Sequence, residues 1–121
     1  MLLDSNIIIY AARPEHGQLR AFLAEKPITV SAITRVEVLG YHRLTQPERE
    51  ILIDVFDSLP VLPVTDDVIE EAIRLRQTQR MSLGDALIAA TAIVNHLPLA
   101  THNTTDYAWI TRLQVIDPIA S

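Results

Sequence analysis

Five short apolar runs alternate with stretches of helical periodicity along this chain, and that alternation constrains its fold more than any other feature. The runs occupy residues 2–3, 28–31, 59–64, 99–101 and 113–116. Between them, residues 5–12 read as a turn into a helix that Pro14 stops, and residues 16–25 and 34–44 carry apolar side chains at helical spacing. Thr45 and Glu48 form a capping box at the head of a further helix, with Pro47 in its first turn. Residues 65–80 and 83–95 predict two more helices, the second apolar nearly all round and therefore central. Strands that alternate with helices need crossover connections, so the expected architecture is α/β: a three-layer α/β/α sandwich around a central, mainly parallel sheet. The run at residues 59–64 has Pro60 and Pro63 near its two ends, which assigns it to an edge of that sheet. The loop THNTTD follows the run at 99–101, and a helical turn is expected at residues 107–110.

In an open parallel sheet the carboxyl ends of the strands and the starts of the helices that follow share one edge, where ligands bind. Four acids fall on that edge. Asp4 directly follows the first strand, Glu37 lies early in the helix after the second, Asp85 is in the first turn of the most apolar helix, and Asp106 ends the THNTTD loop. Each has a purely structural explanation: Asp4 as a helix cap, Asp85 as the partner of Ser82, Glu37 paired with an arginine such as Arg35, Asp106 capping a short turn. Taken together they are harder to dismiss, because four carboxylates without a counter-charge repel and raise one another's pKa. A cation removes the conflict. Oxygen ligands, no cysteine and no clustered histidine favour a hard ion, Mg²⁺ or Mn²⁺. Such ions activate water and stabilise charge on a phosphoryl group during in-line displacement.

Smaller polar residues accompany the acids. Ser5 and Asn6 beside Asp4, and Thr101 and Asn103 before Asp106, suit the orientation of carboxylates or ion-bound water, and turn chemistry explains them as well. Gly40, one turn beyond Glu37, would leave room for a substrate backbone or serve a helix contact. Arg13, Arg35, Arg43 and Arg80 are candidate phosphate contacts, Arg13 and Arg43 foremost, against the ordinary alternative of solvated charge. The four histidines show no ligand spacing.

Composition bears on partners and compartment. Fifteen acids against ten bases give a net charge of −5, which by itself argues against nucleic acid. With the four edge acids set aside, eleven acids face ten bases, nine of them arginine, and RNA is no longer excluded. The length of 121 residues suits one domain over residues 1–121. The longest nearly apolar stretch, residues 86–94, is too short to cross a bilayer, and MLLDSN lacks the regions of a signal peptide, so a cytoplasmic protein is expected.

The residues LLDSNIIIY, SAITRVEVLG around Glu37, GDALIAATAIVNHLPLATHN around Asp85, and the following Asp106 resemble the PIN domain, and closely the VapC-type ribonuclease toxins of toxin-antitoxin pairs. The likeness covers almost the whole chain. It implies a three-layer α/β/α fold, Mg²⁺- or Mn²⁺-dependent endonucleolytic cleavage of RNA, homodimerisation, and neutralisation by a small antitoxin protein. Carried over, Asp4, Glu37, Asp85 and Asp106 form the acidic metal site, and Ser5, Asn6, Thr101 and Asn103 match polar positions of its motifs. Tyr107 stands where the pattern often has Phe. Other classes fit less well. A receiver-type signalling domain needs paired acids after its first strand, and a phosphatase of the D-x-D kind needs an acid where Asn6 stands. A catalytically silent PIN-like module that binds RNA or protein is the remaining alternative.

Overall fold

Two-residue strands build the sheet, and the order in which they join places the acidic residues. The computed structural model describes residues 1–119; residues 120–121, inside the expected single domain, lie outside the described residues. Strand β1 (Leu2–Leu3) pairs parallel with β4 (Leu99–Ala100), which pairs parallel with β5 (Val115–Ile116). On the other side, β2 (Val30–Ser31) pairs parallel with β3 (Val61–Leu62). A parallel bridge between Leu2 and Thr29 joins the two groups, with Leu3 N–H donating to the Thr29 carbonyl at 3.1 Å and Thr29 N–H to that of Met1 at 2.9 Å. The strands therefore run β3–β2–β1–β4–β5, all parallel, and the order reverses between β1 and β4. A reversal of this kind opens a crevice at the carboxyl ends of the two strands. Strand β3, flanked by Pro60 and Pro63, is the edge strand its prolines predict.

Side chains alternate across a strand, so two adjacent residues of β1 serve two cores. Leu2 packs with Leu99 against α5 (Asp66–Thr78) and α6 (Leu83–Val94), where Val68, Ala72, Leu75, Ile88 and Ala92 are buried. Leu3 and Ala100 face the opposite layer, built from α1 (Ser5–Ala11), α2 (Gly17–Ala24) and α4 (Gln46–Ser58), with Ile7, Leu19, Leu52 and Phe56 inside. These are the three expected layers. The capping box of α4 is present in both directions, Glu48 N–H on the Thr45 hydroxyl and Thr45 N–H on the Glu48 carboxylate. Buried Glu71 of α5 takes Arg74 at 2.9 Å and Arg112 of the segment before β5, clipping that helix to the chain end.

Three elements differ from their sequence expectation. The helix expected over 34–44 is α3 (Ala32–Leu39): Ser31 caps it two residues earlier by accepting from Ile33 N–H, and residues 41–44 form turns. Gly40 is its C-cap, and a Cβ there would collide with the Val36 carbonyl, so this glycine serves the helix end. The residues before α2 are a 3₁₀ turn, Pro14–His16. The helical turn expected at 107–110 lies inside the polar loop as α7 (Thr104–Tyr107). Helix α3 packs against both α1 and α6, which puts Glu37 between the helices that carry Asp4 and Asp85.

Candidate functional site

Asp4 sits where the sheet order reverses. Its N–H donates to the Ala100 carbonyl at 2.8 Å, extending the β1–β4 pairing by one residue before α1 begins. As N-cap of α1 it accepts Ser5 N–H on Oδ1 at 2.8 Å, and Oδ2 accepts the Thr101 hydroxyl at 2.7 Å. The Thr101 oxygen itself accepts Asn103 N–H at 3.1 Å, which directs its own proton to Asp4. Cap and cluster member are therefore one role, and the residue is only 4% exposed.

Glu37 reaches the same place from α3: Ser5 Oγ donates to its Oε1 at 2.6 Å. Its other oxygen lies over Gly84, at the head of α6, where a Cβ would overlap it. Asp85, the next residue, has its N–H capped by Ser82 Oγ at 3.1 Å and its Oδ1 bonded by the Tyr107 hydroxyl at 3.0 Å. The same hydroxyl stands 3.5 Å from Asp4 Oδ2. Asp4 at the head of α1 and Asp85 in the first turn of α6 are thus met by Glu37 from the last turn of α3, not from its start as the sequence leads one to expect, and the hydroxyls of Ser5 and Tyr107 link them.

Burial raises the pKa of the Asp4 carboxyl, the hydrogen bonds from Thr101 and Ser5 oppose it, and the charges of Asp85 and Glu37 raise it further. The Tyr107 phenol is pushed far above its ordinary range by burial first and then by Asp4 and Asp85, so it remains a donor. Among the described residues no arginine, lysine or histidine forms an ion pair with any of the four acids. A carboxyl whose pKa is raised on folding contributes stability at low pH that is lost as pH rises through its folded value. Metal-free wild type should therefore lose melting temperature relative to Asp4→Asn as pH is raised from about 4 to about 8. Thermal melts in EDTA across that range check it, and parallel curves would refute it.

Asp106 is exposed on α7 and shares an open cleft with Asp85, lined also by Arg76, Arg80, Ser82 and Thr105. Asn6 and Arg13 line a second opening beside Ser5 and Glu37, with Tyr10 and Tyr41; the Arg13 guanidinium lies 5.6 Å from the Tyr10 ring centre. Asn103 contributes its backbone, and its side chain makes no cap bond to α7. Arg43 is exposed in the turns after α3 and lines neither opening. Sequence reading missed the roles of Tyr107, Gly84 and Arg76. A tyrosine in an otherwise apolar closing segment is a usable signal, since a buried phenol seeks a partner; for Gly84 there was none beyond its place before Asp85.

A divalent cation suits this donor set. The oxygens are hard, Asp4 is buried while Asp85 is half-buried and Glu37 exposed, and among the described residues no side-chain cation pairs with them. Among the described residues no three His, Asp or Glu side chains are already closed around a common point, so binding would draw the carboxylates inward. No helix among the described residues is long and apolar enough to cross a membrane.

Comparison with known proteins gives consistent results. The profile of the PIN domain matches residues 1–108. The chain is similar to Ribonuclease VapC10 of Mycobacterium tuberculosis (strain H37Rv), 30% identical over 122 residues that cover 94% of this chain and 90% of that one. Among solved structures it resembles a toxin-antitoxin complex from Klebsiella pneumoniae, 30% identical, with TM-score 0.78 over 99% of this chain and 98% of that one. The fold also matches a chain of DNA-bound VapBC from Salmonella typhimurium, 20% identical, with TM-score 0.83 over 97% and 96%.

Proposed function

The chain belongs to the PIN domain family, and from that premise we propose that it is a divalent-metal-dependent endoribonuclease, the toxin of a toxin-antitoxin pair, acting in the cytoplasm. The observation that carries this reading is the convergence of Asp4, Glu37 and Asp85 at the switch point of a parallel sheet where, among the described residues, no cationic side chain pairs with them. Asp4, Asp85 and Glu37 would hold Mg²⁺ or Mn²⁺, and Asp106, which lines the same opening as Asp85, would complete the acidic set. When bound, the ion supplies an activated water and a charge that stabilises the pentacoordinate phosphorus. The chain's own residues do the rest. Thr101 and Ser5 fix the orientation of Asp4 and Glu37, Asn6 and Asn103 flank them, and Arg13 and Arg80 stand at the two openings where a phosphate backbone would enter.

The antitoxin reading has its own support in an apolar groove that begins beside Leu3. Leu3, Ile8, Leu23, Ile51 and Val55 line an apolar groove between α1, α2 and α4, with Arg20 and Lys26 among its lining residues. Such a groove complements an apolar partner segment that carries acidic side chains.

The test is cleavage of single-stranded and structured RNA by the purified chain with Mg²⁺, with Mn²⁺ and with EDTA. Cleavage that requires the metal and stops on addition of the cognate antitoxin is the expected result. Mn²⁺ binding and RNA binding without cleavage would instead identify a silent PIN-like module. Cleavage undiminished in EDTA would overturn the metal-dependent reading.

A further inference from the structure

We propose that Tyr107 is a positioning residue that holds Asp85 turned inward against Asp4 in the metal-free protein and thereby sets the affinity of the acidic site for a divalent cation. The inference rests on the acidic-site reading above and deepens it. Its starting point is a phenol hydroxyl placed between two of the acids. The side chain is fully buried, at 0% exposure, and a buried phenol oxygen needs partners. It finds two carboxylates, Asp85 Oδ1 at 3.0 Å and Asp4 Oδ2 at 3.5 Å. One proton serves one acceptor at a time, and the distances assign it to Asp85.

The two acids are not held alike. Asp4 is immobilised by its own N–H on Ala100, by Ser5 N–H on one oxygen and by the Thr101 hydroxyl on the other. Asp85 is only partly buried, and Tyr107 supplies the hydrogen bond its carboxylate makes. Without the phenol, repulsion from Asp4 and Glu37 would turn the Asp85 carboxylate toward solvent, and a cation would have to pull it back on binding. With the phenol, the ligand is already aimed. The ring can perform this service because Ile110 N–H donates to the Tyr107 carbonyl at 3.0 Å and Trp109 Nε1 to that of Asp106 at 3.2 Å, fixing the end of α7.

The experiment compares Mn²⁺ binding to wild type, Tyr107→Phe, Asp85→Asn and the double variant, read from the EPR signal of free Mn²⁺, with melts in EDTA beside it. Outer-shell hydrogen bonds to metal ligands change affinity by about 10- to 100-fold, so Tyr107→Phe should weaken binding by about tenfold or more. Its melting temperature in EDTA should fall little, because Phe fills the same space. In the Asp85→Asn background the same substitution should have little further effect, which a merely structural role would not produce. Unchanged or tighter Mn²⁺ binding by Tyr107→Phe, or an equal loss in both backgrounds, would overturn the proposal while leaving the acidic site standing. Wild type that binds no Mn²⁺ would overturn both.

Discussion

Asp85→Asn should reduce RNA cleavage by about a thousand-fold or more while the protein folds normally. The substitution removes one negative charge and little else. Ser82 still caps the backbone N–H of residue 85, and Asn still offers an oxygen to the Tyr107 hydroxyl, so neither the start of α6 nor the end of α7 loses a bond. What is lost is a charged ligand in a site whose function depends on collecting negative charge. Relief of repulsion should leave the metal-free protein no less stable, whereas Mn²⁺ should raise the melting temperature of wild type more than that of the variant. Cleavage assays with separately purified proteins, and paired melts with Mn²⁺ and EDTA, measure both. Equal cutting by Asp85→Asn would show that the nuclease is another protein in the preparation or that this carboxylate is idle.

Gly84→Ala should separate activity from stability. A Cβ at Gly84 would overlap Glu37 Oε2 and lie 3.2 Å from its Cδ, so the carboxylate must move. It stands at the far end of a flexible side chain, and moving it costs the fold little. Alanine in a helix meanwhile gains up to about 1 kcal/mol over glycine. The variant should therefore melt in EDTA at or above the wild-type temperature. The site fares differently, because Glu37 leaves the Ser5 hydroxyl that holds it beside Asp4, and cleavage should fall by about 10- to 100-fold. Full activity in Gly84→Ala would mean that Glu37 has no part in the chemistry or reaches its place by another rotamer.

How much of this was legible in the sequence depends on the range of the interaction concerned. The α4 capping box could be read directly, because both partners lie within four residues and their chemistry is local. The edge position of β3 was equally plain from prolines that deny the ladder a donor. Strand and helix alternation placed Asp4 at the carboxyl edge of the sheet, whereas Glu37, in the last turn of α3, and Asp85, at the head of a helix that follows another helix, reach it through the packing of α3 against α1 and α6. Helix ends were less legible: Ser31 serves as both strand residue and cap, so a reading that ended the strand there began α3 two residues late. The turn at α7 was misplaced because THNTTD looks like loop by composition, and only burial of Tyr107 explains why a helical turn forms within it. Arg43 and Arg13 look alike in sequence, yet α1 ends at the mouth of the site and delivers Arg13 there, while the turns after α3 leave Arg43 in solvent. Side-chain detail of that kind rests on helix lengths and phases that no local pattern specifies.

The bond between Thr101 and Asp4 joins residues 97 positions apart, across strands that lie side by side. Chains grow from the amino end, so a ribosome making this protein must pass Thr101 before the pocket can close around Asp4. Contacts so distant in sequence form late and slowly. Closure of the acidic pocket therefore waits on the strand that carries Thr101.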